Sequence, residues 1–164
     1  MMTLKNVLVA TDFSELSDAA LMYGRELAVR FGATLQVLHV APNVYAALGA
    51  ENYAAVSPDL QQQVENDAHE RLKALIVDSD NSGPPTRATV VTGNSPALSI
   101  VDFAKEHNID LIVIGTHGRG AMGHFIMGNV AERVVRLAPC PVLTVRHPQR
   151  EFARPDTLEA VARA

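Results

Sequence analysis

The sequence predicts an α/β fold: an open five-stranded parallel sheet with helices on both faces. Three observations carry this. Apolar runs alternate with helical patterns along 164 residues, as parallel β/α units require. The run Asp110 to Ile114 lacks polar alternation, as expected of a central strand covered on both faces. A glycine-rich stretch, Gly115 to Gly128, then joins that run to a helix, which is how a phosphate loop is built.

The elements follow in order. Asn6 to Ala10 reads as the first strand. A helix follows from about Ser14 or Ser17 to Phe31, with Leu16, Ala19, Ala20, Tyr23, Leu27 and Phe31 at helical spacing. Gly32 stops it, since glycine tolerates the left-handed conformation of a helix end. Thr34 to Val40 is the second strand. The segment 41 to 57, with Pro42, Gly49 and many alanines, is compatible with a loop or part of a helix. Pro58 to about Val77 is a polar helix, and Asp78 to Pro85 is a turn cluster leading to a third strand at Arg87 to Thr92. Ser95 can N-cap a helix whose first residue is Pro96, where the missing N–H costs nothing, and that helix runs to about His107. After the glycine loop come a helix from Asn129 to Ala138 and a last strand at Pro141 to Arg146. Pro139 and Pro141 mark that strand as an edge, and a second copy of the chain could cover it. Residues 147 to 164 read as a tail with a short helical pattern at Pro155 to Arg163.

Composition narrows the function classes. With 14 Lys+Arg against 18 Asp+Glu, a formal charge of -4 and no basic run, a nucleic-acid surface has little electrostatic support. The single Cys140 excludes an intramolecular disulfide framework and a cysteine-based zinc cluster, and it fits a reducing compartment, the cytoplasm. No apolar run approaches the roughly 20 residues that span a bilayer, and Asp12 interrupts any export signal.

An open parallel sheet binds ligands beyond the C-terminal ends of its strands, where strand order reverses. Three features fall at such ends: Ala10, Thr11 and Asp12; Val40 and Ala41; and Ile114, Gly115 and the loop to Asn129 and Val130. The Asp12 carboxylate can accept from ribose hydroxyls or an adenine amine, and the backbone near Val40 can read an adenine edge. The loop would hold phosphates through backbone N–H groups freed by Gly115, Gly118 and Gly128, with His117 in reach and Arg119 offering a planar fork.

At these residues the chain resembles the universal stress protein family, whose ATP-binding members carry Gly-2x-Gly-9x-Gly-Ser/Thr; here the match is Gly115, Gly118 and Gly128. The likeness extends to the opening Val-Leu-Val-Ala-Thr-Asp-Phe-Ser, the Leu-His-Val of the second strand, and the ending Val-Ala-Glu-Arg-Val-Val-Arg-Leu-Ala-Pro-Cys-Pro-Val-Leu-Thr-Val. It implies a Rossmann-like nucleotide-binding fold of the adenine nucleotide alpha hydrolase-like type over residues 1–147, with 148–164 as a C-terminal tail. It also implies nucleoside contacts at Asp12 and Val40, a phosphate cradle in the glycine loop, and a homodimer through the last strand. Asn129 departs from the pattern, standing where the motif has a hydroxyl residue. Its amide can donate to a phosphate and it can cap the helix, but the change leaves ATP open against ADP or AMP. Magnesium can accompany ATP.

Each residue also has a plainer reading. Asp12 to Glu15 could be only a helix-entry turn. His39 fits a satisfied core histidine, and Cys140 an inert thiol. His117 and His124 lack a partner at metal-ligand spacing, and Asp59, Glu65, Asp67 and Glu70 fit a solvated helix face. There is no Gly-x-Ser-x-Gly elbow and no Walker lysine. The leading expectation is a cytoplasmic, ATP-binding, nucleotide-dependent regulator of the stress response with a protein partner that the sequence does not identify. The alternatives are a slow ATPase or phosphoryl-transfer enzyme, and a nucleotide-free dimeric scaffold.

Overall fold

The computed structural model describes residues 3–48, 57, 59–77, 83–116 and 128–146. Five strands, β1 (Asn6–Ala10), β2 (Thr34–Pro42), β3 (Thr86–Gly93), β4 (Leu111–Gly115) and β5 (Val142–Val145), form one parallel sheet. Their order is β3-β2-β1-β4-β5. The chain therefore runs outward from β1 to β3, then returns to the far side of β1 to lay down β4 and β5. Strand order reverses between β1 and β4.

The strand period of two divides the core into two layers. Val7, Val9, Leu35, Val37 and Val113 face one way, against Ala20, Leu21 and Ala28 of α1 (Glu15–Phe31) and Leu72 of α3 (Leu60–Val77). Leu8, Ala10, Leu38, Ile112 and Ile114 face the other way. They meet Ala97, Ile100 and Phe103 of α4 (Pro96–Glu106) and Ala131 and Val134 of α5 (Asn129–Leu137). Helices thus cover both faces. Gly24 sets the depth of α1, because a Cβ there would lie 2.2 Å from Val9 Cγ2.

Both helix-end signals of α1 operate. Ser14 is the N-cap and Ser17 completes a reciprocal capping box, while Gly32 closes the helix at φ 63°. The edge reading of the last strand also holds among the described residues, where β5 pairs only with β4.

Three details differ from expectation, and a fourth, the segment 41 to 57, takes its helical alternative in part. β2 continues two residues past Val40, because Ala41 and Pro42 keep pairing with Thr92 and Gly93 of β3. The open segment 41 to 57 contains a short helix, α2 (Val44–Leu48), started by the Asn43 side chain accepting from Tyr45 N and Ala46 N. Ser95 precedes α4 as expected, but its hydroxyl makes no cap bond and lies buried without a partner among the described residues. Asn129 is not a cap: Gly128 is, so Asn129 becomes the first helical residue of α5 and lies exposed. The proposed tail helix at 155–163 lies outside the described residues, as does the turn cluster over 78–82.

Candidate functional site

β1, β2 and β4 end together. Ala10 pairs with Leu38 on one side and Ile114 on the other, which places it at the reversal of strand order. Thr11 extends β1 by one backbone bond, its N–H donating to Leu38 O at 2.9 Å. By the two-residue period, Val40 turns its backbone N–H and C=O to the same side as Leu38, beyond the last paired residue of β1.

The turn after β1 is held by hydroxyls. Thr11 is buried, and its Oγ1 accepts from Phe13 N at 3.0 Å and lies 2.9 Å from Ser17 Oγ. The Ser17 hydroxyl donates to Ser14 O, so Thr11 is the donor in the Thr11–Ser17 pair. Asp12 Oδ1 accepts from Ser14 N at 3.1 Å and Ser14 Oγ at 2.5 Å. Asp12 thus takes part in the helix-entry turn, through one carboxylate oxygen. Phe13 adopts φ 61°, a left-handed conformation that costs a residue with a Cβ about 1–3 kcal/mol.

His39 behaves as a satisfied histidine at the half-buried end of β2. Its Nδ1 lies 2.9 Å from Thr11 O, and because a carbonyl only accepts, Nδ1 carries the hydrogen. Its ring also packs on Phe13, with centroids 4.3 Å apart.

On the β4 side, Gly115 ends the strand opposite Val145. Its glycine requirement differs from expectation. The only left-handed glycine among the described residues is Gly32; Gly115 is needed for space, because a Cβ there would meet Leu16 O at 3.0 Å. Gly128 has φ -57° and likewise needs no left-handed freedom. Thr116, not singled out in the sequence, is buried and central: its N–H donates to Val145 O, and its carbonyl accepts from Gly128 N. A hydroxyl residue between a strand end and a glycine loop was the available signal.

Structure thus brings Ala10, Thr11, Asp12, Val40, Ile114, Gly115, Gly128, Asn129 and Val130 to the C-terminal edge of the sheet. At α5 the first-turn N–H groups lack partners within the helix, and Asn129 and Val130 are exposed there. His117, Gly118, Arg119 and His124 lie outside the described residues. Among the described residues no three His, Cys, Asp or Glu side chains group to hold a metal ion, and no helix is long and apolar enough to cross a membrane.

Two titratable groups other than these residues depart from ordinary behaviour. Burial, reinforced by Asp110, pushes the Cys140 thiol up. Hydrogen bonds from Thr92 and then Gln61 hold the Glu65 carboxyl down, so this carboxylate joins α3 to the end of β3 rather than only facing solvent.

Comparison with known proteins agrees with this architecture. The UspA universal stress protein from Lactobacillus plantarum superposes with a TM-score of 0.66 at 26% identity, covering 89% of this chain and 100% of that one. The universal stress protein from Archaeoglobus fulgidus in complex with dAMP shares the fold, with a TM-score of 0.61 at 24% identity over 88% of this chain and 99% of that one. In sequence, a universal stress protein of Methanocaldococcus jannaschii is 30% identical over 148 residues, 90% of this chain and 85% of that protein. The profile described as the universal stress protein family matches residues 3–146, and the chain belongs to that family.

Proposed function

We propose that this chain binds an adenine nucleotide, ATP foremost, at the edge where β1 and β4 end, and acts as a nucleotide-dependent regulator of the stress response. The observation that carries the reading is the convergence at the reversal of strand order. There a carboxylate (Asp12), strand backbone beyond the end of β1 (Val40) and the first-turn N–H groups of α5, which have no partner within the helix, share one edge. Those are the acceptor, the edge reader and the anion site that a nucleotide requires. The dAMP complex of the Archaeoglobus fulgidus protein, which has this fold, supports the choice of adenine.

In this reading Ala10, Thr11, Asp12 and Val40 take the nucleoside. Ile114, Gly115, His117, Gly118, Arg119, Gly128, Asn129 and Val130 take the phosphates, with magnesium accompanying ATP. The site belongs to one domain, residues 1–147, followed by the tail 148–164. The β5 edge pairs with a second copy to give a homodimer, and the single cysteine favours the cytoplasm.

The test is to denature purified protein, identify any released nucleotide by mass spectrometry, and titrate stripped protein with ATP, ADP and AMP. Tight ATP binding, weakened by Gly118→Ala and lost in Asp12→Ala, with no ADP formed over hours, is the expected result. Turnover above a no-enzyme blank would make the protein a slow ATPase. Protein that ignores all three nucleotides would be a scaffold, and the proposal would be wrong.

A further inference from the structure

We infer that Arg71 and His39 are positioning residues for Asp12, acting through Phe13, so that the adenine-nucleotide affinity of this edge depends on a cation carried by α3. The binding half of this inference rests on the reading above; the positioning half stands on geometry alone.

Three elements meet at Phe13. The Arg71 guanidinium lies 4.2 Å from the centre of its ring, an attractive arrangement of cation and aromatic face. The His39 ring from β2 packs against the same side chain at 4.3 Å and a 33° tilt. His39 also donates from Nδ1 to Thr11 O, so one side chain holds both neighbours of Asp12. Phe13 N in turn donates to Thr11 Oγ1.

These contacts explain a conformation that the local sequence does not favour. Phe13 sits at φ 61°, and such a backbone persists only where its surroundings over-determine it. Thr11 is fixed by β2 through Leu38 O and His39. The free variable in the turn is then Phe13, and its ring is what Arg71 and His39 hold. A Phe13 that relaxed to negative φ would rotate the peptide next to Asp12 and loosen the Ser14 bonds to Oδ1. Arg71 is itself exposed, and α3 contributes no other residue to this turn in the contacts above, so its role is exerted through the ring.

The test uses full-length Arg71→Met, which keeps an apolar stem and loses the cation, Arg71→Lys, which keeps a charge, and Lys73→Met as a charge control on the same helix. In unliganded protein, the Ser14 amide, shared between Asp12 Oδ1 and Ser17 Oγ at 3.1 Å each, reports the geometry of this turn by chemical shift and hydrogen exchange. Arg71→Met should shift that amide and speed its exchange, and should weaken ATP binding by about two- to five-fold. Arg71→Lys should recover most of both, and Lys73→Met should change neither. A Ser14 amide unchanged in Arg71→Met overturns the positioning role. A moved amide with unaltered ATP affinity overturns its relevance to the ligand. If wild-type protein binds no adenine nucleotide, the proposed function fails, while the Ser14 amide still decides the positioning.

Discussion

The N–H of Gly128 donates to the carbonyl of Thr116 at 2.5 Å. Thr116, at the end of β4, and Gly128, at the cap of α5, are therefore neighbours across a hydrogen-bonded neck. Thr116 N is bonded in turn to Val145 O at 2.9 Å, so both ends of the glycine loop are referred to the β4–β5 pair. This predicts a contrast in hydrogen exchange. The Gly128 amide should exchange at least about ten-fold more slowly than those of Asn129 and Val130, whose first-turn N–H groups have no partner in the helix. Adding ATP should slow the latter two. Equal rates for all three would mean that the neck opens freely in solution.

Gly115→Ala should destabilise the protein by about 1–3 kcal/mol, because the new Cβ meets the backbone of Leu16 at 3.0 Å and either β4 or the first turn of α1 must shift. Gly93→Ala should cost less, since its Cβ would meet chiefly the Ser99 hydroxyl, which can rotate away. Urea unfolding of the two variants gives the ranking, and a reversed order would refute the packing argument.

At the opposite end of the sheet, Asp110 Oδ2 accepts from Lys5 N at 2.7 Å and Asn6 N at 2.9 Å, tying the start of β1 to β4. Asp110→Ala leaves both donors to water and should cost about 1–2 kcal/mol, with nucleotide affinity unchanged. Chemical denaturation alongside calorimetry checks both halves.

Acid stability should depend on Glu65. Its folded value is lowered, chiefly by the Thr92 hydroxyl and then by Gln61. Its contribution is therefore complete above the ordinary carboxylate range, and is lost as the pH falls through that range to the lowered folded value. Thr92→Val removes the larger cause, so thermal midpoints followed from neutral to acid pH should fall less steeply than in wild type. An unchanged slope would remove Glu65 from the account.

Cys140 should resist alkylation. Burial raises its thiol above the ordinary range, which keeps it protonated at neutral pH, and the thiolate is the reactive form. Iodoacetamide labelling of native protein should run several-fold slower than in urea; equal rates would show an accessible, ionised thiol.

Much of this organisation is legible in the chain because its cause is local. Val7 to Val9 and Ile112 to Ile114 are apolar without interruption, and both runs are central strands buried on both faces. Ser14 and Gly32 mark the ends of α1 because capping depends on a few neighbouring residues. α2 was legible only as one alternative to a loop, since a five-residue helix in an alanine-rich stretch has too few turns to show a period. At the candidate edge, Asp12 and Gly115 were found by residue type. Thr116, Phe13 and Arg71 were not, because their importance lies in partners at positions 128, 39 and 13.

The sequence by itself determined the parallel α/β architecture, the edge status of β5 and the strand ends that form the candidate site. These follow from hydrophobic period, prolines and glycines, which act on the chain where they stand. Only the tertiary structure decided why Gly115 must be glycine, which hydroxyls lock the turn at Thr11, and that an arginine of α3 reaches the residue beside Asp12. Each depends on backbone or side chains distant in the chain, whose separation is set by how helices and strands pack, and no local pattern encodes that distance.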